Sequence, residues 1–373
     1  MKILYVTTGG APKDQDFLKG ILDSGHELHY VTMRKIGLDL SLERAHNYCL
    51  DDEIVREDSW IKTTIFKHLL TFLKFRKLVK TIQPDIIHAG VVQGPGLMAV
   101  ASGFKHILLM PWGSDILIHP KRSLLFRLIT SFVLKKAALI TCDAETVKNE
   151  IINIAKIPEE RIKVIPWGVN IENFKENQDN RIAVRNELGL TNQNLVLIMT
   201  RWFRPVYAIE DFLSALPEII HNNPKVIAIL AGSGPLENYL RQLTIELEID
   251  KNVIFLGSIT NANLPRYLNA ADLYVSTSLS DGTSISLLEA MSCELPVIVT
   301  DIKANTEWIE DNINGYIAPP GNPKLLSSKI TLAINNELAW KEMGKSNRLL
   351  VINKANWKNN FDEIESLYHQ IKQ

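Results

Sequence analysis

Twelve short apolar runs, separated by helical patterns, constrain this chain of 373 residues more than any other feature. The first six lie at 2–7 (KILYVT), 27–32 (ELHYVT), 84–89 (PDIIHA), 106–110 (HILLM), 138–142 and 162–165 (IKVI). After a gap the pattern restarts at 195–200 (LVLIMT), 226–231 (VIAILA), 253–257 (VIFLG), 273–277 (LYVST), 296–300 (PVIVT) and 315–318 (GYIA). Runs this short and this continuously apolar read as strands buried on both faces, the mark of a parallel sheet with helices packed on each side. Two series imply two sheets and two doubly wound α/β domains, and the length agrees, because one core seldom serves a chain of this size. The stretch between the series, 166–189, is rich in Asn and charge and poor in strand patterning, so the linker is placed at 169–190 between domains at 1–168 and 191–350.

Charge and cysteine content narrow the partners. Lys plus Arg number 41 against 42 Asp plus Glu, which gives no reason to expect nucleic acid. Cys49, Cys142 and Cys293 are far apart and odd in number, forming neither a disulfide framework nor a zinc site, and a reducing, cytoplasmic setting is expected. The opening MKILYVTTGG is broken by glycines too early for a signal peptide and reads as a first strand. No apolar run reaches the length of a membrane span.

The segment SLSDGTSISLLEAMSCELPVIVTD, 278–301, carries the clearest chemistry. It follows a strand, opens on Gly282, Thr283 and Ser284, continues as a helix and ends in another strand, with Ile285 placed with the donor-binding residues. Small residues at a helix start expose backbone N–H groups beside the positive end of the helix dipole, a place that attracts phosphate. Gly282 allows close backbone approach, while Thr283 and Ser284 offer hydroxyls. Asp281 and Glu289 flank this nest, one suited to sugar hydroxyls and the other to ribose. On the residues alone, Asp281 reads equally as a helix cap and Glu289 as a solvated helix residue.

The longer string DGTSISLLEAMSCELPVIVTDIKANTEWIEDNINGYIAPPGNP resembles the donor-binding signature of family-4 retaining glycosyltransferases (glycosyl transferases group 1), which have the GT-B fold. There, two acidic residues are separated by seven others, as Asp281 and Glu289 are here. The likeness spans nearly the whole chain. TTGGAP, with Gly9 and Gly10, resembles the family's glycine loop facing the diphosphate and acceptor. Arg201, AGSGPLE around Gly232 and Gly234, and NVIFLGSI around Gly257 resemble its donor-binding loops. The resemblance implies a nucleotide-diphosphate sugar held by the C-terminal domain in a central cleft, an acceptor (glycan, lipid-linked or small molecule) on the N-terminal domain, and retention at the transferred sugar. It also implies that no metal or other cofactor takes part. Arg201 would then grip the diphosphate, since a guanidinium donates two hydrogen bonds to phosphate oxygens. Other functions open to the fold are nucleotide-sugar epimerisation, phosphorolysis and service as a catalytically silent partner subunit.

Three departures matter. Where the family carries a Lys about five residues after the Arg, RWFRPVYAIEDF leaves Arg204 or Tyr207 to replace it. Asp281 is shorter than the Glu usual there. Where the N-terminal domain often has a His, MPWGSDIL offers Trp112, Ser114 and Asp115, with Asp115 either an acceptor contact or a loop cap. DQD at 14–16 mimics a metal-binding Asp-x-Asp pattern, but its place at a helix start favours capping.

Two acid-free stretches, 59–84 and 116–142, mix Lys and Arg with Leu and Phe. They read either as solvated basic helix faces or as surfaces for an anionic membrane at the inner face of the bilayer. Finally, Trp357, Phe361, Ile364, Leu367 and Ile371 draw one apolar stripe on a terminal helix, 351–373, expected to pack back on the N-terminal domain.

Overall fold

The computed structural model describes residues 1–9, 12–33, 44–50 and 65–373, with side chains in the helix Ile65–Ile82 described from residue 69. The chain forms two compact units, Met1–Pro166 with Lys358–Gln373, and Trp167–Trp357.

In the N-terminal unit seven strands make one sheet: β1 (Lys2–Thr7), β2 (Glu27–Thr32), β3 (Ala45–Cys49), β4 (Ile86–Gly90), β5 (Ile107–Met110), β6 (Leu139–Cys142) and β7 (Ile162–Val164). Their order is β3-β2-β1-β4-β5-β6-β7, and every pair is parallel. The apolar runs mark six of these strands. The seventh, β3, has the sequence AHNYC and a mostly exposed surface. An edge strand has one neighbour and needs no continuous apolar run, so hydrophobic patterning does not reveal it.

The second unit contains β8 (Leu195–Met199), β9 (Val226–Ala231), β10 (Val253–Gly257), β11 (Leu273–Ser276), β12 (Val297–Thr300) and β13 (Tyr316–Ala318). Their order is β10-β9-β8-β11-β12-β13, again all parallel. Both sheets are therefore doubly wound. Each has its own core: Leu4, Ile87, Leu109 and Val133 in the first unit, with Leu197, Leu230, Val275 and Ile298 in the second.

Residues 169–190, expected as a linker, fold with the second unit. Phe174 is buried, and the helix Gln178–Glu187 is capped by the Asn177 side chain, which accepts from the Asn180 amide at 2.9 Å. Polar composition misleads here because its arginines work inside the fold. Arg185 is buried and donates to the carbonyls of Ala270 and Thr191, while Arg181 donates to Asp272.

The helix Trp357–Lys372 starts at the end of the second unit, and from Lys358 onward it belongs to the first. Phe361 lies against Phe17 with ring centroids 6.4 Å apart. A Cβ on Gly20 would stand 2.7 Å from the Phe361 ring, so only glycine lets the two helices approach this closely. Ile364 and Leu367 are buried, as is Tyr368, whose hydroxyl lies 2.7 Å from His88 Nδ1. Burial in an apolar site pushes His88 down to about 3, which keeps it neutral.

Candidate functional site

In a doubly wound sheet, the helices following the two central strands leave in opposite directions. The carboxyl ends of those strands then frame a crevice for ligands. In the second unit these strands are β8 and β11. Arg201 lies just beyond β8, and the loop 277–284 just beyond β11. Backbone carbonyls help hold these loops together: Leu279 N–H donates to the Val206 carbonyl at 2.8 Å, and Thr277 Oγ1 to the Tyr207 carbonyl at 2.8 Å.

Arg201 Nη2 donates to Asp281 Oδ2 at 2.6 Å and to Ser284 Oγ. The Arg201 side chain is 9% exposed and that of Asp281 19%. Burial opposes the guanidinium's charge, but Asp281, together with Tyr274 and Tyr207, more than offsets this and holds its pKa above the ordinary arginine value. The Tyr207 ring sits against the same guanidinium at 4.8 Å. Arg204 instead lies over the Trp202 ring at 3.9 Å. Tyr207, one of the two candidates to replace the missing Lys, thus packs on Arg201.

Ser284 caps the helix Ile285–Ser292, its hydroxyl accepting from the Leu287 amide at 3.2 Å. That hydroxyl also receives Arg201, so it anchors the helix start more than it offers a free donor. Thr283 and Gly282 are buried beside it. Glu289 is buried about one turn into the helix, where it accepts from Asn261 Nδ2 at 3.2 Å. No sequence motif signals Asn261, which follows β10 in an ordinary polar loop.

Two glycines permit this packing. A Cβ on Gly232 would stand 1.9 Å from the Arg201 carbonyl oxygen, and Gly234, at φ +155°, lies against the Phe203 backbone. Gly257 has φ +70° beside a register shift between Phe255 and Gly257, and no heavy atom lies near its would-be Cβ.

In the N-terminal unit the corresponding central strands are β1 and β4. Gly9, at φ +88°, donates its N–H to Thr7 Oγ1 at 3.1 Å. Gly10 lies outside the described residues. Thr7 Oγ1 in turn donates to Asp14 Oδ2 at 3.2 Å, and Tyr5 donates to Asp14 Oδ1 at 3.0 Å. Asp14, the first acid of the DQD pattern, is thus spent on hydroxyls beneath the glycine loop, and Asp16 pairs with Lys13.

Of the two readings of Asp115, acceptor contact or loop cap, the hydrogen bonds fit the cap. Asp115 is 1% exposed, with Oδ1 accepting the Trp112 amide and Oδ2 the Val92 amide, both at 2.8 Å. Burial raises its carboxyl to about 6 despite these amides. It orders the loop from inside. Ser114 is exposed at the start of the short helix Ser114–Leu117, and Trp112 is half-buried, its indole close to Gly90.

Similarity to known proteins agrees with this geometry. The glycosyl transferases group 1 model matches residues 180–350, and the glycosyl transferase 4-like model residues 2–144. An uncharacterized glycosyltransferase of Methanocaldococcus jannaschii is 26% identical over 228 residues, an alignment covering 60% of this chain and 58% of the relative. The Escherichia coli UDP-Gal:alpha-D-GlcNAc-diphosphoundecaprenol alpha-1,3-galactosyltransferase is 24% identical over 313 residues, 82% of this chain and 80% of that one. Among solved structures, Anabaena HepE in complex with UDP-glucose superposes with a TM-score of 0.83 at 19% identity, covering 99% of this chain and 100% of that chain. With two doubly wound units, a fold shared with HepE over its full length, and both family models matched in order, the chain belongs to the group 1 glycosyltransferases of GT-B architecture.

Proposed function

We propose that this chain transfers a sugar, with retention and without metal, from a nucleotide-diphosphate donor held at the β8–β11 crevice to a lipid-linked acceptor at the N-terminal unit. The observation that carries this reading is Arg201, a largely buried guanidinium fixed by Asp281 and Ser284 at the N-terminus of the helix Ile285–Ser292. As the bond from the anomeric carbon to phosphate breaks, negative charge grows on the departing diphosphate. A preorganised cation beside a helix N-terminus stabilises that charge where a metal would do so elsewhere. Asp281 at the mouth would meet sugar hydroxyls, and Glu289, held by Asn261, the ribose. UDP-glucose in the HepE complex supports a nucleotide-sugar donor.

The name of the E. coli relative supports a lipid-linked acceptor, and so does the surface of the N-terminal unit. On the helix Leu124–Lys136, Leu124 is 72% exposed, and Leu125, Leu128 and Phe132 are exposed with it, among Arg127, Lys135 and Lys136. Leu69, Leu70 and Leu73 are likewise exposed on the helix Ile65–Ile82, next to Lys74, Arg76 and Lys77. Residues 59–64 of the first basic stretch, including Lys62, lie outside the described residues. Apolar side chains flanked by cations suit the inner, anionic face of a membrane. No described helix is long and apolar enough to cross one.

A thermal-shift screen of nucleotide sugars tests the donor reading, because a ligand at about 100 times its dissociation constant adds roughly 2.7 kcal/mol. The expected result is stabilisation by one base family, followed by transfer that persists in excess chelator. Stabilisation without turnover would make the chain a silent subunit, and interconversion of free nucleotide sugars an epimerase. Phosphorolysis would make it a phosphorylase, and loss of transfer in chelator would end the metal-free reading.

A further inference from the structure

The edge of the N-terminal sheet gathers a second group of functional side chains. β2 and β3 pair in parallel with His29 opposite His46 and Val31 opposite Tyr48. Because side chains alternate along a strand, Glu27 and His29 share one face of β2, and His46 and Tyr48 continue that face on β3. His29 Nε2 lies 2.8 Å from Glu27 Oε1, and His29 Nδ1 lies 3.1 Å from the Tyr48 hydroxyl. The His29 and His46 rings stack with centroids 4.8 Å apart and planes 20° from parallel. Lys2 Nζ also approaches Glu27, at 3.7 Å. The hydrogen bond from His29 holds the Glu27 carboxyl below its usual range.

We propose that Glu27, His29 and His46 form a binding site for a divalent transition metal, with zinc the best match. One ligand atom from each lies within 4.8 Å of the other two, and Glu27 and His46 are exposed while His29 is buried. Two imidazoles and a carboxylate make a donor set that zinc takes with a water in the fourth position. Tetrahedral ligands about 2.0 Å from zinc stand about 3.3 Å apart. The exposed Glu27 and His46 close that gap by rotation, and buried His29 supplies the fixed point. On binding, the His29 Nε2 lone pair goes to the metal. The ring proton then resides on Nδ1 and donates to Tyr48 Oη, so Tyr48 orients the ligand from behind. The metal ties edge strand β3 to β2 through side chains as well as the ladder.

The test uses the full chain, stripped with chelator and titrated with zinc chloride by calorimetry, with bound metal counted after dialysis. One zinc per chain is expected. His46→Ala and Glu27→Gln, both at exposed positions, should each abolish or strongly weaken binding, and Tyr48→Phe should weaken it about tenfold. His369→Ala, which removes an exposed histidine beside Glu365, should change nothing. The site is overturned if the native chain retains no zinc, if His46→Ala and Glu27→Gln bind as the native chain does, or if only His369→Ala removes the metal.

Discussion

The two sheets share a central strand order yet use their polar side chains in opposite ways. Between β1 and β4 the polar groups are consumed by the fold. Asp14 takes the hydroxyls of Tyr5, Thr7 and Tyr30, Asp115 takes two amides, and His88 stays neutral against Tyr368. Between β8 and β11 the charged groups keep part of their surface: Arg201 and Asp281 face each other near the crevice mouth, with Tyr207 stacked behind. Topology supplies a crevice in each unit, but only side chains left partly unspent can serve a ligand. That contrast is the reason to place donor chemistry in the second unit.

The largest expected effect that would sharpen the contrast comes from Arg201→Ala, which leaves Asp281 without its counter-ion. Removing one partner of a buried pair costs about 3–5 kcal/mol, and the partial exposure of Asp281 places this case at the lower end. Urea unfolding followed by a probe in the second unit should show it, and a loss under about 1 kcal/mol would mean that the pair is solvated like a surface bridge.

Next is a pH effect confined to the first unit. The Asp115 carboxyl is raised to about 6, so between its unfolded value near 4 and that point the folded chain holds a proton the unfolded chain has released. Its contribution is present at low pH and lost as pH rises through about 6, worth roughly 3 kcal/mol in all. His88 slopes the other way, since the unfolded chain takes up a proton below about 6.5 that the folded one refuses until about 3. The difference between native and Asp115→Asn stability across pH 4 to 7 isolates the first term. A flat difference would show that the loop amides hold the carboxylate fully charged.

Smaller still, and directed at turnover, is Asp281→Asn. If Asp281 meets sugar hydroxyls that move as the anomeric bond breaks, kcat should fall more than donor affinity. Equal loss in both would assign it to ground-state binding through Arg201.

How much of this was legible in the sequence depends on whether a residue's signal is local. Strands buried on both faces announce themselves by composition, and all but β3 were readable that way. The helix start at Ser284 and the spacing of Asp281 and Glu289 were equally local. What escaped were partnerships across the fold. The interior hydrogen bonds of Arg185 turned an expected linker into packed structure, and the particular amides of Trp112 and Val92 that Asp115 takes could not be named from its two open readings. The Tyr207 ring against Arg201, and the bond from Asn261 to Glu289, depend on loops that only the fold brings together.

The central claim, that the β8–β11 crevice holds a nucleoside diphosphate, is tested most directly by calorimetric titration of UDP, GDP, ADP, CDP and TDP into native, Arg201→Lys and Glu289→Gln chains. The expected result is binding of at least one nucleotide to the native chain, weakened by roughly 1.5–3 kcal/mol in Glu289→Gln for a lost charge-assisted hydrogen bond. Arg201→Lys should weaken it too, because an ammonium cannot reproduce the guanidinium fork. Unchanged affinity in both variants, or no binding of any of the five to a correctly folded native chain, would contradict it.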